Sequence, residues 1–271
     1  MDPIDIGWQV ITDKNKYHSN SVVLATGGKS YPQLGSTGDG YNIAKQLGHS
    51  IIEPHPALVP FELAGYWFKE LQGVKTNIKL TLTTQGKILA CQTGEIIFTH
   101  FGISGPVVLD LSRLIIDCQH KPASTVLVNF LPNYNSKELN LLLKTRWQNQ
   151  PRKTLVNSIS EILPKKLCQV LLKELTINPD TKVNQITKKE TELLAERLTN
   201  WHLAVKKPRS FAESMVTAGG VPLDEVNTKT MESLKTKGLY LAGEILDIDG
   251  ISGGYNLQFA WSTGYLAGLN V

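Results

Sequence analysis

The sequence predicts an α/β protein with inserted domains. Two apolar runs, residues 22–25 and 239–242, each lead into glycine, in Thr26-Gly27-Gly28 and in Gly243-Glu244. Continuous apolar runs of this length are typical of buried parallel strands, and glycine often follows such strands in α/β turns. Between the two ends, the chain first alternates apolar and polar residues and then changes to a helical period. This change of period indicates that the middle of the chain is inserted into the α/β domain.

The first segment is predicted to hold two strands and a helix. Residues 8–12 and 21–25 have strand character, and the polar residues 13–16 between them predict a hairpin. A helix is expected at residues 40–47, where Gly48 is placed to cap its C-terminus. Strand, glycine turn and helix in this order are typical of an α/β sheet.

A β-rich segment is predicted after the proline-rich residues 54–60. Ile78, Leu80 and Leu82 alternate with polar residues, which is the period of a half-buried strand. One helix is expected to begin at Gly105-Pro106, because proline suits the first helical turn. Further strands are expected at residues 88–91, 95–99 and 125–130.

Residues 136–201 have a helical period. Thr187 and Glu190 have the spacing of a capping box that opens a helix. Apolar faces are expected at Leu139, Leu142, Leu143 and Trp147, and at Leu167, Val170, Leu171 and Leu175. These faces predict packing against a core, with a partner-binding face as the alternative.

The last segment returns to α/β character, with a strand at residues 239–242 and a helix at residues 256–269. Four segments follow from these patterns. Residues 1–57 and 206–271 form one α/β domain in two parts, residues 58–134 a β-rich inserted domain, and residues 135–205 a helical inserted subdomain.

The composition predicts a soluble globular protein. The 271 residues are 41% hydrophobic and 19% charged, and no apolar run approaches the roughly 20 residues that span a bilayer. Without a signal-peptide pattern at residues 1–5, we expect a cytoplasmic protein with no membrane partner. The net charge of +4 comes from dispersed basic residues, so no nucleic-acid partner is expected. Cys91, Cys118 and Cys168 lack metal-ligand spacing, so we expect no metal site and buried, inert thiols.

The strongest chemical signal is the loop from Gly243 to Asn256. Gly253 and Gly254 precede a predicted helix, whose free N–H groups and dipole favour an anion such as a phosphate. Glu244 can accept hydrogen bonds from sugar-like hydroxyls. The alternative for these carboxylates is a solvated acidic loop.

Two other glycine motifs carry less information. Residues 35–40 have the pattern G-x-x-G-x-G, which is neither the dinucleotide motif G-x-G-x-x-G nor a P-loop. Residues 250–254 match the nucleophile elbow G-x-S-x-G, but no Asp, Glu or His follows Ser252. A serine hydrolase is therefore excluded.

His100 is the candidate for proton transfer. It lies between Thr99 and Phe101 in a predicted loop, and an uncharged histidine can donate a proton near a redox centre. The alternative is a structural histidine whose ring is satisfied by hydrogen bonds.

Five motifs resemble, in the same order and over nearly the whole chain, the BaiN/YhiN-type flavoproteins. They are residues 25–32, 35–41, 98–106, 216–221 and 238–258. That family is a branch of the two-dinucleotide-binding-domain flavoproteins, which include NAD(P)/FAD-dependent oxidoreductases, aminoacetone oxidases and bile-acid intermediate reductases. The resemblance implies an FAD/NAD(P)-binding fold split around the inserted segments. It also implies an FAD-dependent oxidoreductase for a small organic substrate, with NAD(P)H as a candidate electron donor.

The resemblance also implies positions for the cofactor. Beside the ADP half of FAD it places Ala25, Thr26, Gly27 and Gly28. Beside the ribitol and pyrophosphate it places Gly243 and Glu244. At the flavin end it places Gly253, Gly254, Tyr255 and Asn256, with Asp249 and Gly250 as further cofactor-binding candidates of the same motif. His100 and residues 102–106 are the candidates for the substrate side, and the catalytic residues are otherwise unassigned.

The start of the chain departs from the family pattern. The family begins with a βαβ unit carrying G-x-G-x-x-G, which needs roughly 30 residues, whereas 20 residues precede Ser21. We therefore expect an N-terminally truncated fold without the ADP cradle. If that cradle supplies three charge-assisted hydrogen bonds, its loss costs on the order of 5 to 9 kcal/mol. Such a loss moves nanomolar FAD binding into the micromolar to millimolar range.

Two hypotheses follow from this departure. In the first, the chain is the larger, C-terminal part of an FAD-dependent oxidoreductase. In the second, it is a non-catalytic remnant, or a subunit that needs a second polypeptide carrying the missing βαβ unit.

Overall fold

The computed structural model describes residues 2–4, 7–116 and 124–271. The chain forms two compact units, which we name the split unit, Met1–Val59 with Arg209–Val271, and the barrel unit, Pro60–Pro208.

Strands predominate before residue 130, and helices predominate between residues 136 and 199. The strands are β1 Asp2–Ile4, β2 Gly7–Ile11, β3 Lys16–Ser19, β4 Val22–Leu24, β5 Ile52–Ala57, β6 Phe61–Leu63, β7 Lys75–Thr84, β8 Lys87–Phe98, β9 Gly102–Ser104, β10 Ser124–Asn129, β11 Trp201–Pro208, β12 Val216–Gly220 and β13 Leu239–Leu241. The α-helices are α1 Asp39–Gln46, α2 Phe68–Leu71, α3 Pro106–Ile116, α4 Ser136–Asn149, α5 Leu155–Ile159, α6 Lys165–Glu174, α7 Lys188–Thr199 and α8 Tyr255–Asn270. Short 3-10 turns lie at Pro32–Leu34, Val183–Gln185, Phe211–Glu213, Leu223–Glu225 and Gly243–Ile245.

The two apolar runs form a parallel pair in the split unit. Leu24 of β4 lies opposite Leu241 of β13, which confirms both predicted strands. A hairpin forms at the predicted polar turn, but its second strand is the polar, exposed β3, so the predicted pairing of β2 with the strand at residues 21–25 is wrong. The expected covering of β4 on both faces is also wrong, because Val23 is 40% exposed while Leu24 is buried.

The elements around this pair are partly as predicted. Helix α1 ends one residue earlier than expected, and the N–H of Gly48 donates to the carbonyl of Lys45, which confirms the cap. The proline-rich residues, in contrast, form strand β5, which pairs with β12 so that Ala57 lies opposite Val216. Proline is tolerated in β5 because the strand has one partner among the described residues.

Helix α8 exposes most of its apolar side chains. Only Thr263 and Ala267 of this helix are buried. Leu257, Trp261, Tyr265 and Leu269 are each at least 60% exposed, and their spacing of four residues places them on one side of the helix, which we name the α8 face. None of the described helices combines the length and the apolar character that crossing a membrane requires.

The barrel unit is built on a closed barrel in the order β10-β11-β6-β9-β8-β7. Strand β8 is continuous where two shorter strands were predicted. Strands β10 and β11 are neighbours, with Val126 opposite Leu203, so helices α4 to α7 are inserted between two adjacent barrel strands. The ring of Trp201 lies 4.3 Å from that of Trp67 and 5.7 Å from that of Phe130, so aromatic packing joins β11 to the rest of the core.

The inserted helices α4 and α7 begin at capping boxes. The predicted box at Thr187 and Glu190 is confirmed, and a second one, which was not predicted from the sequence, joins Asn135 and Glu138 at the start of α4. The predicted apolar face of α4 is wrong at Leu142, which is 40% exposed.

The cysteine prediction holds for one of the two described thiols. Cys168 is buried, and burial raises the pKa of its thiol to about 11, so the thiol is inert as predicted. Cys91 is exposed, so its predicted burial is wrong. Cys118 lies outside the described residues.

A buried polar cluster joins three distant segments of the split unit. His49 Nδ1 lies 2.9 Å from Glu225 Oε2, and His49 Nε2 lies 2.7 Å from Ser233 Oγ. Ser233 Oγ accepts hydrogen bonds from the N–H groups of Lys235 and Thr236. We infer that the Ser233 hydroxyl donates to Nε2 and that Nδ1–H donates to Glu225.

The charge of Glu225 is stabilised inside this cluster. Burial by itself would raise the pKa of Glu225, but hydrogen bonds from Ser50 and His49 and the Lys235 ammonium outweigh that effect and lower the pKa. The ionised carboxylate can therefore hold the segment after α1, the Leu223–Glu225 turn and the segment before β13 together.

Replacing Ser233 with alanine should destabilise the split unit. The change leaves Nε2 of His49 and two backbone N–H groups without their partner, at a cost on the order of 1 to 3 kcal/mol. Urea denaturation followed by circular dichroism measures this loss. The control is Ser36→Ala, for which the described part of the chain holds no side-chain hydrogen bond. Equal free energies of unfolding for the two variants would contradict a stabilising role of the cluster.

Candidate functional site

The two predicted glycine turns leave the same edge of the parallel pair. Ala25 to Gly28 follow β4, and Gly243 and Glu244 follow β13. The N–H of Ala242 donates to the carbonyl of Leu24, so the carboxyl ends of both strands lie side by side. This edge is where α/β proteins bind ligands.

Thr217 ties the two turns to strand β12. Its N–H donates to Glu244 Oε1 at 2.6 Å, and its Oγ1 accepts from the N–H of Lys29 at 2.8 Å. Ser30 Oγ lies 3.1 Å from Thr217 Oγ1 and accepts from Ser214 Oγ. Thr217 belongs to one of the five motifs, but its role was not predicted, because its partners lie far away in the sequence.

Gly28 must be glycine because of this close approach. A Cβ at this position would overlap Thr217 Oγ1 and lie 2.6 Å from Glu244 Oε1. A Cβ at the neighbouring Gly27 would meet nothing within 4 Å. The turn therefore packs tightly on the side of Glu244 and leaves room beside the backbone of Gly27.

The Glu244 carboxyl is poised as a hydrogen-bonding group. Burial raises its pKa, and hydrogen bonds from Thr217 and Ser30 offset only part of that effect. The Tyr41 hydroxyl donates to the backbone carbonyl of Glu244 at 3.3 Å. Burial, with the carboxylates of Glu244 and Asp247, raises the pKa of Tyr41 far above its usual value, so this tyrosine stays a donor.

The third motif is closed by one side chain. Asn256 Oδ1 accepts from the N–H of Gly250, and Asn256 Nδ2 donates to the carbonyl of the same residue. Gly254, with φ of 95°, is the residue before α8, and a Cβ there would meet nothing within 4 Å. Tyr255 is 61% exposed, so the start of α8 is accessible. The cofactor roles of Asp249, Gly250, Gly253, Gly254, Tyr255 and Asn256 stay predictions.

The weaker glycine loop at residues 35–40 borders a polar cavity of about 250 Å³ in the split unit. Thr37, Gly38, Lys29 and Lys45 line this cavity. A Cβ at Gly40 would overlap the Thr26 hydroxyl, so this loop and the turn after β4 are packed against each other.

His100 belongs to the barrel unit, between β8 and β9. It is exposed, and its ring lies 4.9 Å from that of Phe101 in an edge-on arrangement. The role of His100 in proton transfer stays a prediction, and the buried, hydrogen-bonded histidine of the described residues is His49. Residues 102–106 are not an open loop, since they contain β9 and the first residue of α3. Within the described residues, no three His, Cys, Asp or Glu side chains are grouped to hold a metal ion.

The chain is similar to known proteins over nearly its whole length. A family profile described as "HI0933-like protein Rossmann domain" matches residues 5–270. The chain is 36% identical over 263 residues to the 3-dehydro-bile acid delta(4,6)-reductase of Clostridium scindens, covering 97% of this chain and 64% of that protein. It is 33% identical over 261 residues to the ribosomal RNA dihydrouridine synthase of Haemophilus influenzae, covering 96% and 62%. It is 34% identical over 244 residues to the protein of the same name from Escherichia coli, covering 90% and 58%. The chain thus spans about three fifths of the length of these relatives.

Replacing Gly28 with alanine should destabilise the split unit, because the added methyl group overlaps Thr217 and Glu244. Overpacking of this kind costs about 1 to 3 kcal/mol. The control is Gly264→Ala in α8, where a Cβ meets nothing within 4 Å and alanine favours the helix. Thermal unfolding measures both, and a G28A midpoint at or above that of the control would contradict the packing argument.

Replacing Glu244 with glutamine should change how stability depends on pH. A carboxyl group whose pKa is raised on folding stabilises the fold most below its unfolded pKa, and that contribution is lost as the pH rises through the folded pKa. Glutamine can still accept from Thr217 N–H but does not ionise. The free energy of unfolding of E244Q should therefore rise relative to wild type over the pH range above about 4.3, the usual pKa of glutamate. Urea titrations across this range measure the difference, with the exposed Glu53→Gln as control. A parallel pH dependence of E244Q and wild type would contradict the raised pKa of Glu244.

Proposed function

The chain belongs to the HI0933-like family, which agrees with the resemblance of its five motifs to BaiN/YhiN-type flavoproteins, and on this premise we propose that it supplies the C-terminal portion of an FAD-dependent oxidoreductase. The observation that carries the proposal is the pair of glycine turns at one edge of β4 and β13, tied by Thr217 to the half-buried Glu244.

The residues at this edge fit FAD. The space beside Gly27 and before α8 allows a ligand to approach the backbone, and the free N–H groups at the start of a helix favour a negatively charged group. The N–H of Thr217 fixes one oxygen of the Glu244 carboxyl. The carboxyl group is therefore held in position to accept hydrogen bonds from ribitol hydroxyls. In this proposal Ala25, Thr26, Gly27 and Gly28 lie along the ADP half and Gly253 to Asn256 at the flavin end. FAD supplies hydride transfer when bound, and NAD(P)H is the proposed electron donor.

The reaction we propose is the saturation of a carbon–carbon double bond in a ring. One relative is named a delta(4,6)-reductase and two are named dihydrouridine synthases, and both kinds of name describe the addition of hydrogen. Such a reaction consumes a hydride and a proton. The exposed His100 is the candidate proton donor.

The distribution of charge favours RNA over a free small molecule as the substrate. The sequence as a whole led us to expect no nucleic-acid partner, but the two units differ strongly. The barrel unit has 20 Lys and Arg against 12 Asp and Glu, a net charge of +8, whereas the split unit has 8 against 12, a net charge of −4. A strong positive charge on one unit is typical of proteins that bind nucleic acid.

A nucleotide-binding βαβ segment is the proposed occupant of the α8 face. A helix that is apolar on every side is typically buried, and a parallel sheet of two strands is normally extended and covered. The exposed Val23 and the α8 face provide such an unpaired, apolar surface. The segment would carry the G-x-G-x-x-G turn that this sequence lacks, either on a longer chain or on a second polypeptide.

Retention of flavin tests the proposal. We expect the chain, mixed with excess FAD and passed through gel filtration, to keep little visible absorbance. Co-expression with a βαβ segment of the family that carries G-x-G-x-x-G should give a complex that retains flavin, because the segment restores the contacts to the pyrophosphate. Trp261→Glu should reduce co-purification of the segment, whereas the exposed Gln46→Glu on α1 should not.

Two results would contradict this account. Full retention of flavin by the chain alone would show that no βαβ segment is needed. A folded complex that forms but stays colourless with FAD would overturn the flavin proposal and favour a non-catalytic remnant.

A further inference from the structure

A groove of about 400 Å³ lies among the inserted helices of the barrel unit. It is bordered by α4, the Val183–Gln185 turn and the first turns of α7, and we name it the α4–α7 groove. Its apolar part is formed by Trp147, Val183 and Ile186, and its polar rim by Lys144, Asn184 and Lys188.

The apolar floor is held in place by buried contacts. Trp147 is 6% exposed and Val183 is 3% exposed. The indole Nε1 of Trp147 donates to Ser158 Oγ at 3.0 Å, so the ring is fixed and its polar atom is satisfied inside the protein. The small part of the floor that faces the groove is therefore apolar and rigid, and Ile186, which is half-buried, adds to its accessible apolar surface.

The two lysines on the rim have fewer carboxylate partners than the neighbouring basic side chains. Arg146 and Lys153 both contact the carboxylate of Glu161. Lys144 has no carboxylate within 4.0 Å in the part of the chain that the structure describes, and Lys188 reaches Glu192 only at 4.0 Å, with its side chain 80% exposed. Two cations therefore border the groove with little competition from protein anions.

An apolar floor between the half-buried Lys144 and the exposed Lys188 fits a nucleotide. A base can lie on the floor, its edge can bond with the side-chain amide of Asn184, and the flanking phosphates can pair with lysines. A single carboxylate would need one cation, whereas a phosphodiester chain makes use of both lysines and of the net charge of +8 of the barrel unit.

We infer that the α4–α7 groove is a docking site for a single-stranded RNA segment, with a base on the Trp147 floor and adjacent phosphates on Lys144 and Lys188. This inference rests on the proposed function, since it gives the oxidoreductase an RNA substrate and a surface that holds it.

The test is RNA binding by the chain without flavin. Fluorescence anisotropy with a labelled 12-nucleotide single-stranded RNA is measured over a series of salt concentrations. The double variant Lys144→Glu and Lys188→Glu should bind at least about tenfold more weakly, and its plot of log affinity against log salt should be shallower by about 1.4, which is about 0.7 for each lost phosphate contact.

The matched control has the same change in net charge. Lys79→Glu with Lys87→Glu alters two exposed lysines on strands β7 and β8 of the same unit and should reduce affinity much less. A control that weakens binding as much as the groove variant would overturn the site. The site would also be overturned if the wild-type protein did not bind the RNA, or if it bound a carboxylated steroid in the groove in place of RNA.

Flavin retention separates this inference from the proposed function. The groove variant, co-expressed with the βαβ segment, should retain flavin as wild type does, because neither lysine lies in the split unit. Retained flavin with unchanged RNA binding would overturn the groove and leave the flavoprotein proposal standing.

Discussion

The split unit depends on one hydrogen bond, from the N–H of Thr217 to the half-buried carboxyl of Glu244. Thr217 belongs to β12, and Glu244 lies in the turn after β13, so this bond fixes the turn against a second strand. The Thr217 hydroxyl then accepts from Lys29, which brings in the turn after β4. Both turns are hydrogen-bonded to Thr217, one to its backbone and one to its side chain. The shape of the edge where a ligand would bind therefore depends on this single residue of β12.

Hydrogen bonds between side chains also hold the parallel pair in place, where further strands of a sheet would normally do so. Among the described residues, β4 and β13 form a sheet of two strands, extended on the β13 side only by an isolated bridge from Tyr240 to Glu232, and two strands alone are marginally stable. The cluster of His49, Glu225 and Ser233 holds the segment after α1 and the segment before β13 in place. A buried charged cluster loses much more free energy than an apolar contact when one partner is removed, so it fixes one arrangement of these segments.

What the sequence could predict was local. The strands β4 and β13, the cap at Gly48 and the box at Thr187 depend on residues within a few positions, and their patterns were sufficient. Strand β5 was missed because Pro54 and Pro56 argue locally against a strand, while its pairing with β12 comes from the distant Val216–Gly220. The roles of Thr217 and His49 were missed for the same reason, since their partners are many residues away and their own neighbours give no signal. The positions of the glycine turns were predictable because both follow apolar strands.

The net charge of the whole chain hides the opposite net charges of the two units, and the division into units comes from the fold. The value of +4 combines +8 on the barrel unit with −4 on the split unit. A polyanion is repelled by a unit of negative net charge and attracted by one of positive net charge, so its contacts should concentrate on the lysines of the barrel unit. The helices inserted between β10 and β11 supply such lysines without altering the pairing of the barrel strands. An insertion of this kind can give a flavoprotein fold a new class of substrate, since it adds a binding surface and leaves the cofactor edge unchanged.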